Sequence, residues 1–287
     1  MSMLEYDFMQ RALIAALLVG LAAPAVGVFL VQRRLALMGD GIGHIALTGV
    51  ALGFLLGTAP VLTAVVVATI GAVVIELVRQ QGRTSGDVAL ALMFYGGIAG
   101  GVLLISLSPG GSNANLLAYL FGSLTSVSPQ DLAVITVLSV LLLLTLLLLG
   151  REMFAVCHDE EFARVAGLPV RAMNVLLAVM AAVTVTVAMR VVGLLLISAL
   201  MVVPVATAQQ LVRGFRATVL LALALGVAAS LGGVTGSWYA GTAPGAMIVV
   251  VALGGFAVAA VAGAVLRRSR RGGGTELVLL PESAGSR

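Results

Sequence analysis

Apolar residues fill nine stretches of the chain almost without interruption, near residues 8–31, 36–57, 60–79, 86–108, 130–150, 170–189, 191–212, 217–239 and 244–266. About 20 mostly apolar residues cross a bilayer as a helix. The runs show no alternation of period two, which excludes an outer-membrane barrel. The pattern predicts an all-α polytopic membrane helix bundle of nine crossings, or eight if one segment is re-entrant. The first span is too long for a signal peptide and lacks a small-residue cleavage site, so it is expected to be retained.

Two polar interruptions stand out between these spans. The first runs from Ser108-Pro109-Gly110-Gly111 to Ser128-Pro129-Gln130-Asp131, and within it Leu116, Leu117, Leu120, Phe121 and Leu124 recur at helical spacing. This predicts a short interfacial helix, either a plain connector or a docking surface for an external partner. The second contains Asp159-Glu160-Glu161-Phe162-Ala163-Arg164-Val165-Ala166-Gly167-Leu168-Pro169. Asp159 is a helix cap before an acidic first turn, and Gly167 with Pro169 is a stop, giving a helix of about ten residues near 158–168. Its apolar positions Phe162, Val165 and Ala166 fit a groove on a partner protein, or else seal the loop against the bundle.

Composition confirms the class. The chain is 61% hydrophobic and 10% charged, with a mean hydropathy of +1.16, which excludes a soluble domain. One cysteine, Cys157, excludes an intramolecular disulfide framework. There is no lysine, so the net charge of +4 resides in arginine. Arg33, Arg34, Arg79, Arg83, Arg151, Arg164, Arg171, Arg213, Arg216 and the run Arg267 to Arg271 fall on one side of a nine-span arrangement, and only Arg11 and Arg190 on the other. The positive-inside rule then places the N-terminus outside and the C-terminus in the cytoplasm. The charge reports topology and gives no basis for nucleic-acid binding. Residues 1–271 read as a single membrane domain, and 272–287 as a flexible cytoplasmic tail.

The candidate chemistry is concentrated in Gly39-Asp40-Gly41-Ile42-Gly43-His44. A carboxylate inside a transmembrane helix costs roughly 2.5–3.5 kcal/mol on insertion scales, which marks Asp40 as functional with a partner to be found. His44 lies one helical turn on, on the same face. Asp40 could instead cap its helix, and His44 could be an interhelical hydrogen-bonder. Pro204, expected to break its helix, and nearby Thr207 are candidates for a pathway wall. Glu76 reads as snorkelling beside Arg79, Cys157 and His158 as a weak metal pair, and Met38, Met93 and Met201 as packing. Gly49 and Gly53, and Gly96, Gly97, Gly100 and Gly101, suit close helix approach.

These segments resemble a known family. Asp159 to Pro169 resembles the coupling-helix segment of ABC importer permeases of the vitamin B12 and iron-chelate architecture. Met38 to Gly53, Asn115 to Ser123 and Val192 to Pro204 are similar, in order, to the blocks of the zinc/manganese permease family of ABC importers. The resemblance covers roughly residues 8–268. It implies a permease importing a divalent transition metal (zinc, manganese or ferrous ion), with Asp40 and His44 as metal ligands. It also implies a homodimer, two ATP-binding cassette ATPase subunits, an external metal-binding protein, and a prokaryotic inner membrane. Coupling would pass through Asp159, Glu160, Phe162, Ala163, Ala166 and Gly167. The chain would bind no cofactor and catalyse nothing, ATP being used by the partner; it has no phosphate-binding loop of its own. An ATP-independent cation carrier or channel is the alternative, and it has no need of a helix at 158–168.

Overall fold

The computed structural model describes residues 3–81, 86–107, 118–123, 125, 127–194 and 196–272. After a 3₁₀ turn at Met3–Glu5 come α1 (Asp7–Gln32), α2 (Met38–Leu56), α3 (Pro60–Gln80), α4 (Gly86–Leu107), α5 (Pro129–His158), α6 (Glu160–Val165), α7 (Val170–Ala188), α8 (Ile197–Leu211), α9 (Phe215–Ala240) and α10 (Pro244–Gly272). Among the described residues all regular structure is helical, and eight helices are long and apolar enough to cross a membrane. The predicted all-α bundle is what forms, because in hydrocarbon only a helix satisfies every backbone polar group within one segment.

Several boundaries differ from the sequence reading. The expected span 191–212 is the 15-residue α8, which begins only at Ile197. The chain before it turns at 189–194, with Gly193 at φ +88°. Pro204 lies inside α8 and does not break it. The discontinuity lies upstream, where Gly193 packs its backbone against Leu120 and Gly122 too closely for any side chain. α5 continues to His158, well beyond the expected 150. Of the expected interfacial helix, residues 118–121 are helical, while Leu116, Leu117 and Leu124 lie outside the described residues. So do Arg83 and 273–287 of the expected tail.

α1 is the central post. Ala12, Ala15, Ala16, Val19, Ala22 and Ala23 are buried along it, and such small side chains let α5, α7, α8 and α9 close around one helix. Its end is a Schellman motif in which Arg34 takes the left-handed position at φ 60°. The amides of Leu35 and Arg34 donate to Leu30 and Val31 at 2.8 and 3.0 Å. The chain reverses at once into α2, which packs on α3 and α4. Gly49 and Gly53 face Ala64 and Pro60 of α3; Gly97, Gly100 and Gly101 of α4 face α2, whereas Gly96 faces open space.

The end of the bundle opposite α6 is fastened by Arg190. Its Nη2 donates to Asp131 Oδ2 at 2.6 Å, and its guanidinium lies 4.9 Å from the centre of the Tyr119 ring. Its carbonyl accepts from the Ser123 amide at 3.2 Å. Asp131 also completes a capping box with Ser128 at the start of α5. The side chains of Arg190 and Asp131 are only 18% and 13% exposed, so removing one leaves the other charge poorly solvated. Arg190→Ala is expected to destabilise the fold by about 3 kcal/mol, read as a lower melting temperature in detergent; an unchanged melt would show that the ion pair fastens nothing.

Candidate functional site

Asp40 lies in the first turn of α2, but the N-cap position is Leu37 and carries no side-chain cap hydrogen bond. Capping is therefore not the role of Asp40. Its Oδ1 instead accepts a hydrogen bond from Ser198 Oγ at 2.5 Å. Ser198 is the second residue of α8, whose N-cap Leu196 likewise supplies no side-chain cap. The carboxylate thus meets the first turn of a helix as well as a hydroxyl donor. Ser198 was missed as a site residue from sequence because a lone serine in an apolar run carries no signal. Only the late start of α8 brings it to Asp40.

His44 is half-buried, with its ring edge-on to Phe94 of α4, centroids 4.3 Å apart. No hydrogen bond reaches its ring nitrogens from the described residues, so the interhelical hydrogen-bonding role is not what the geometry shows. Gly97 lies against the backbone of His44 and Ile45, and Thr48 Oγ1 donates to the Gly97 carbonyl at 2.8 Å. Gly97 stands halfway along α4, which puts His44 in the middle of the bundle. Gly41 faces Met93, one turn nearer the start of α4, which sets Asp40 in the same central third.

The other candidates fall elsewhere. Pro204 and Thr207 line a cavity of about 150 Å³ with Leu225, Ala229 and Val251 of α9 and α10, on the face of α8 away from Ser198 and Asp40. Thr207 Oγ1 donates within its own helix, to Val203. Glu76 does not snorkel: it is 2% exposed, with Arg79 Nε and Nη2 each donating to it at 2.8 Å. Met38, Met93 and Met201 are buried packing residues. His158 stacks on Phe154, and Cys157 is half-buried. Among the described residues no group of three or more His, Cys, Asp or Glu side chains converges on one point.

α6 has six residues, shorter than the expected ten. Asp159 caps it through the Phe162 amide at 2.9 Å, and Gly167, at φ +83°, ends the turn that follows. Ala163 is turned inward against Val156 and Val170, while Phe162 and Val165 are 69% and 88% exposed. Glu160 is tied inward: Arg33 Nη2 donates to it at 2.6 Å. Arg33 also donates to Asn174 of α7. One arginine thus joins α6, α7 and the turn leading into α2.

Residues 5–263 match the ABC 3 transport family. The chain is 34% identical to the manganese transport system membrane protein MntC of Halalkalibacterium halodurans over 257 residues, 90% of this chain and 88% of that protein. It is 31% identical to the manganese import system permease protein ScaB of Streptococcus gordonii, over 86% of this chain and 88% of that one. Among solved structures, PsaBC from Streptococcus pneumoniae in complex with Fab is similar at a TM-score of 0.81 and 30% identity, covering 89% of this chain and 92% of that one.

The packing of α2 on α4 generates a test. A Cβ at Gly97 would stand 2.5 Å from the His44 carbonyl carbon, whereas one at Gly96 meets nothing within 4 Å. Gly97→Val is expected to force the two helices apart and lower the melting temperature of the purified protein, and Gly96→Ala to leave it unchanged. Equal melting of both variants would contradict this packing.

Proposed function

The chain belongs to the ABC 3 transport family and is a permease subunit of an ABC metal importer; from that premise we propose that Asp40 and His44 are the transport-site ligands for a manganese, zinc or ferrous ion. The observation that carries this reading is their position: a carboxylate and an imidazole on one face of α2, in the middle of a largely apolar bundle, with the imidazole nitrogens free of hydrogen-bond partners among the described residues. Such mixed oxygen and nitrogen donors suit borderline divalent cations. Two ligands per chain are too few for tight binding, and the exposed Phe94 and Tyr95 leave the flank of His44 open to another subunit. A homodimer with its two-fold axis there would offer four ligands. Incomplete ligation by each half also lets the ion leave. Ser198 holds the Asp40 carboxylate in place.

Energy enters through α6. Two ATPase subunits on the cytoplasmic side would receive Phe162 and Val165, with the N-terminus outside, the C-terminus inside and an external metal-binding protein delivering the ion. The arginine distribution supports this orientation. Movement of α6 pulls on Glu160, and hence on Arg33, which lies five residues before the start of α2. The ion pair therefore gives a short mechanical route from the ATPase to Asp40.

Uptake of isotopic manganese and zinc by vesicles holding the reconstituted complex tests the site. Asp40→Asn and His44→Ala are each expected to cut uptake at least about tenfold, the loss of one good ligand contact, with the complex still assembled; wild-type uptake in either would remove that residue from the path. Phe162→Ala and Arg33→Ala are expected to leave metal binding intact and to separate ATP hydrolysis from uptake. Unchanged moles of ion per ATP in both would eliminate the α6 route.

A further inference from the structure

At the end of the bundle that carries α6, helices α1, α5 and α9 leave an open groove of about 930 Å³. Its walls include Phe29, Leu143, Leu146, Leu147, Leu220 and Leu223, and its mouth carries Arg151, Arg213 and Arg216. All three arginines are exposed, and none forms a salt bridge within the described residues. Glu152, the acid beside Arg151 in the chain, pairs with none of them. The N-terminus of α9 opens at the same mouth, where Gly214, at φ +98°, provides no side chain to cap it. The mouth is thus a concentration of positive charge, and everything beyond it is apolar.

We propose that this groove is a binding site for an anionic phospholipid of the surrounding bilayer. The chemistry matches the groove in both parts. Acyl chains fill the leucine-lined length between α5 and α9, and the phosphate is held by the arginines, whose planar forks suit phosphate oxygens. Basic pockets between transmembrane helices near a membrane face take acidic headgroups in this way. A neutral lipid would cover the leucines and leave the charge unmatched. A free phosphate would meet the arginines and leave the groove bare. Phe154 in the groove wall packs on Phe215 at 4.3 Å and stacks on His158, immediately before the Asp159 cap of α6. A bound lipid therefore braces the root of the coupling helix.

The test compares phosphatidylglycerol with phosphatidylcholine of identical acyl chains, titrated onto the full-length protein in detergent and read by native mass spectrometry. Phosphatidylglycerol is expected to be retained at least about tenfold more strongly, given three arginines at the headgroup. The triple variant Arg151→Ala, Arg213→Ala, Arg216→Ala is expected to lose that preference. A phosphatidylglycerol with a photoreactive acyl chain is expected to label residues within 143–154 and 213–223, also when the ATPase subunits are bound. Equal retention of the two lipids by the unaltered protein would overturn the proposal whether or not the variant folds. So would labelling confined to other helices, or labelling abolished by the ATPase subunits, which would make a protein the occupant.

Discussion

A carboxylate placed in the middle of an apolar bundle is the constraint around which this molecule is arranged. A buried carboxylate needs a hydrogen-bond donor, and the structure supplies one by stopping a helix short. α8 starts only at Ile197, so that its first turn and Ser198 arrive where Asp40 lies. For that to happen the chain must turn at 189–194, and Gly193 must sit in a left-handed conformation against Gly122. The Arg190–Asp131 ion pair then holds the turn at the far end of the bundle. Site, short helix and outer fastening are one connected device.

The same carboxylate is linked to the other end of the bundle through Arg33. That side chain is 9% exposed, and its two partners, Glu160 and Asn174, come from α6 and α7. A buried arginine with two directional partners resists independent movement of the pieces it joins. α1 runs into α2 through a turn of only a few residues, so Arg33 lies close in the chain to Asp40 as well as in contact with α6. The glycines of α4 let α2 approach closely, since Gly97, Gly100 and Gly101 present backbone in place of side chains.

How these parts divide between sequence and fold is clearest at individual residues. Asp159, Gly167 and the exposed Phe162 were legible because caps and stops act within a few residues of the chain. Asp40 and His44 were legible because a charge in an apolar run is costly wherever the run lies. Ser198 was not, since a hydroxyl in a helix is commonplace until another helix brings a carboxylate to it. Pro204 misled: proline within a helix removes one hydrogen bond, but tertiary packing held α8 continuous through it.

The sequence by itself determined the membrane bundle, the number of its long helices to within one, the arginine asymmetry, and the two side chains of the candidate metal site, because each follows from hydrophobicity, length or charge counted along the chain. Only the tertiary structure decided the depth of Asp40, its pairing with Ser198, the inward turn of Ala163 and Glu160, the placing of Pro204 and Thr207 against α9 and α10, and the arginine-mouthed groove. These depend on which residues distant in sequence come within bonding distance, and hydrophobic periodicity carries no information about that.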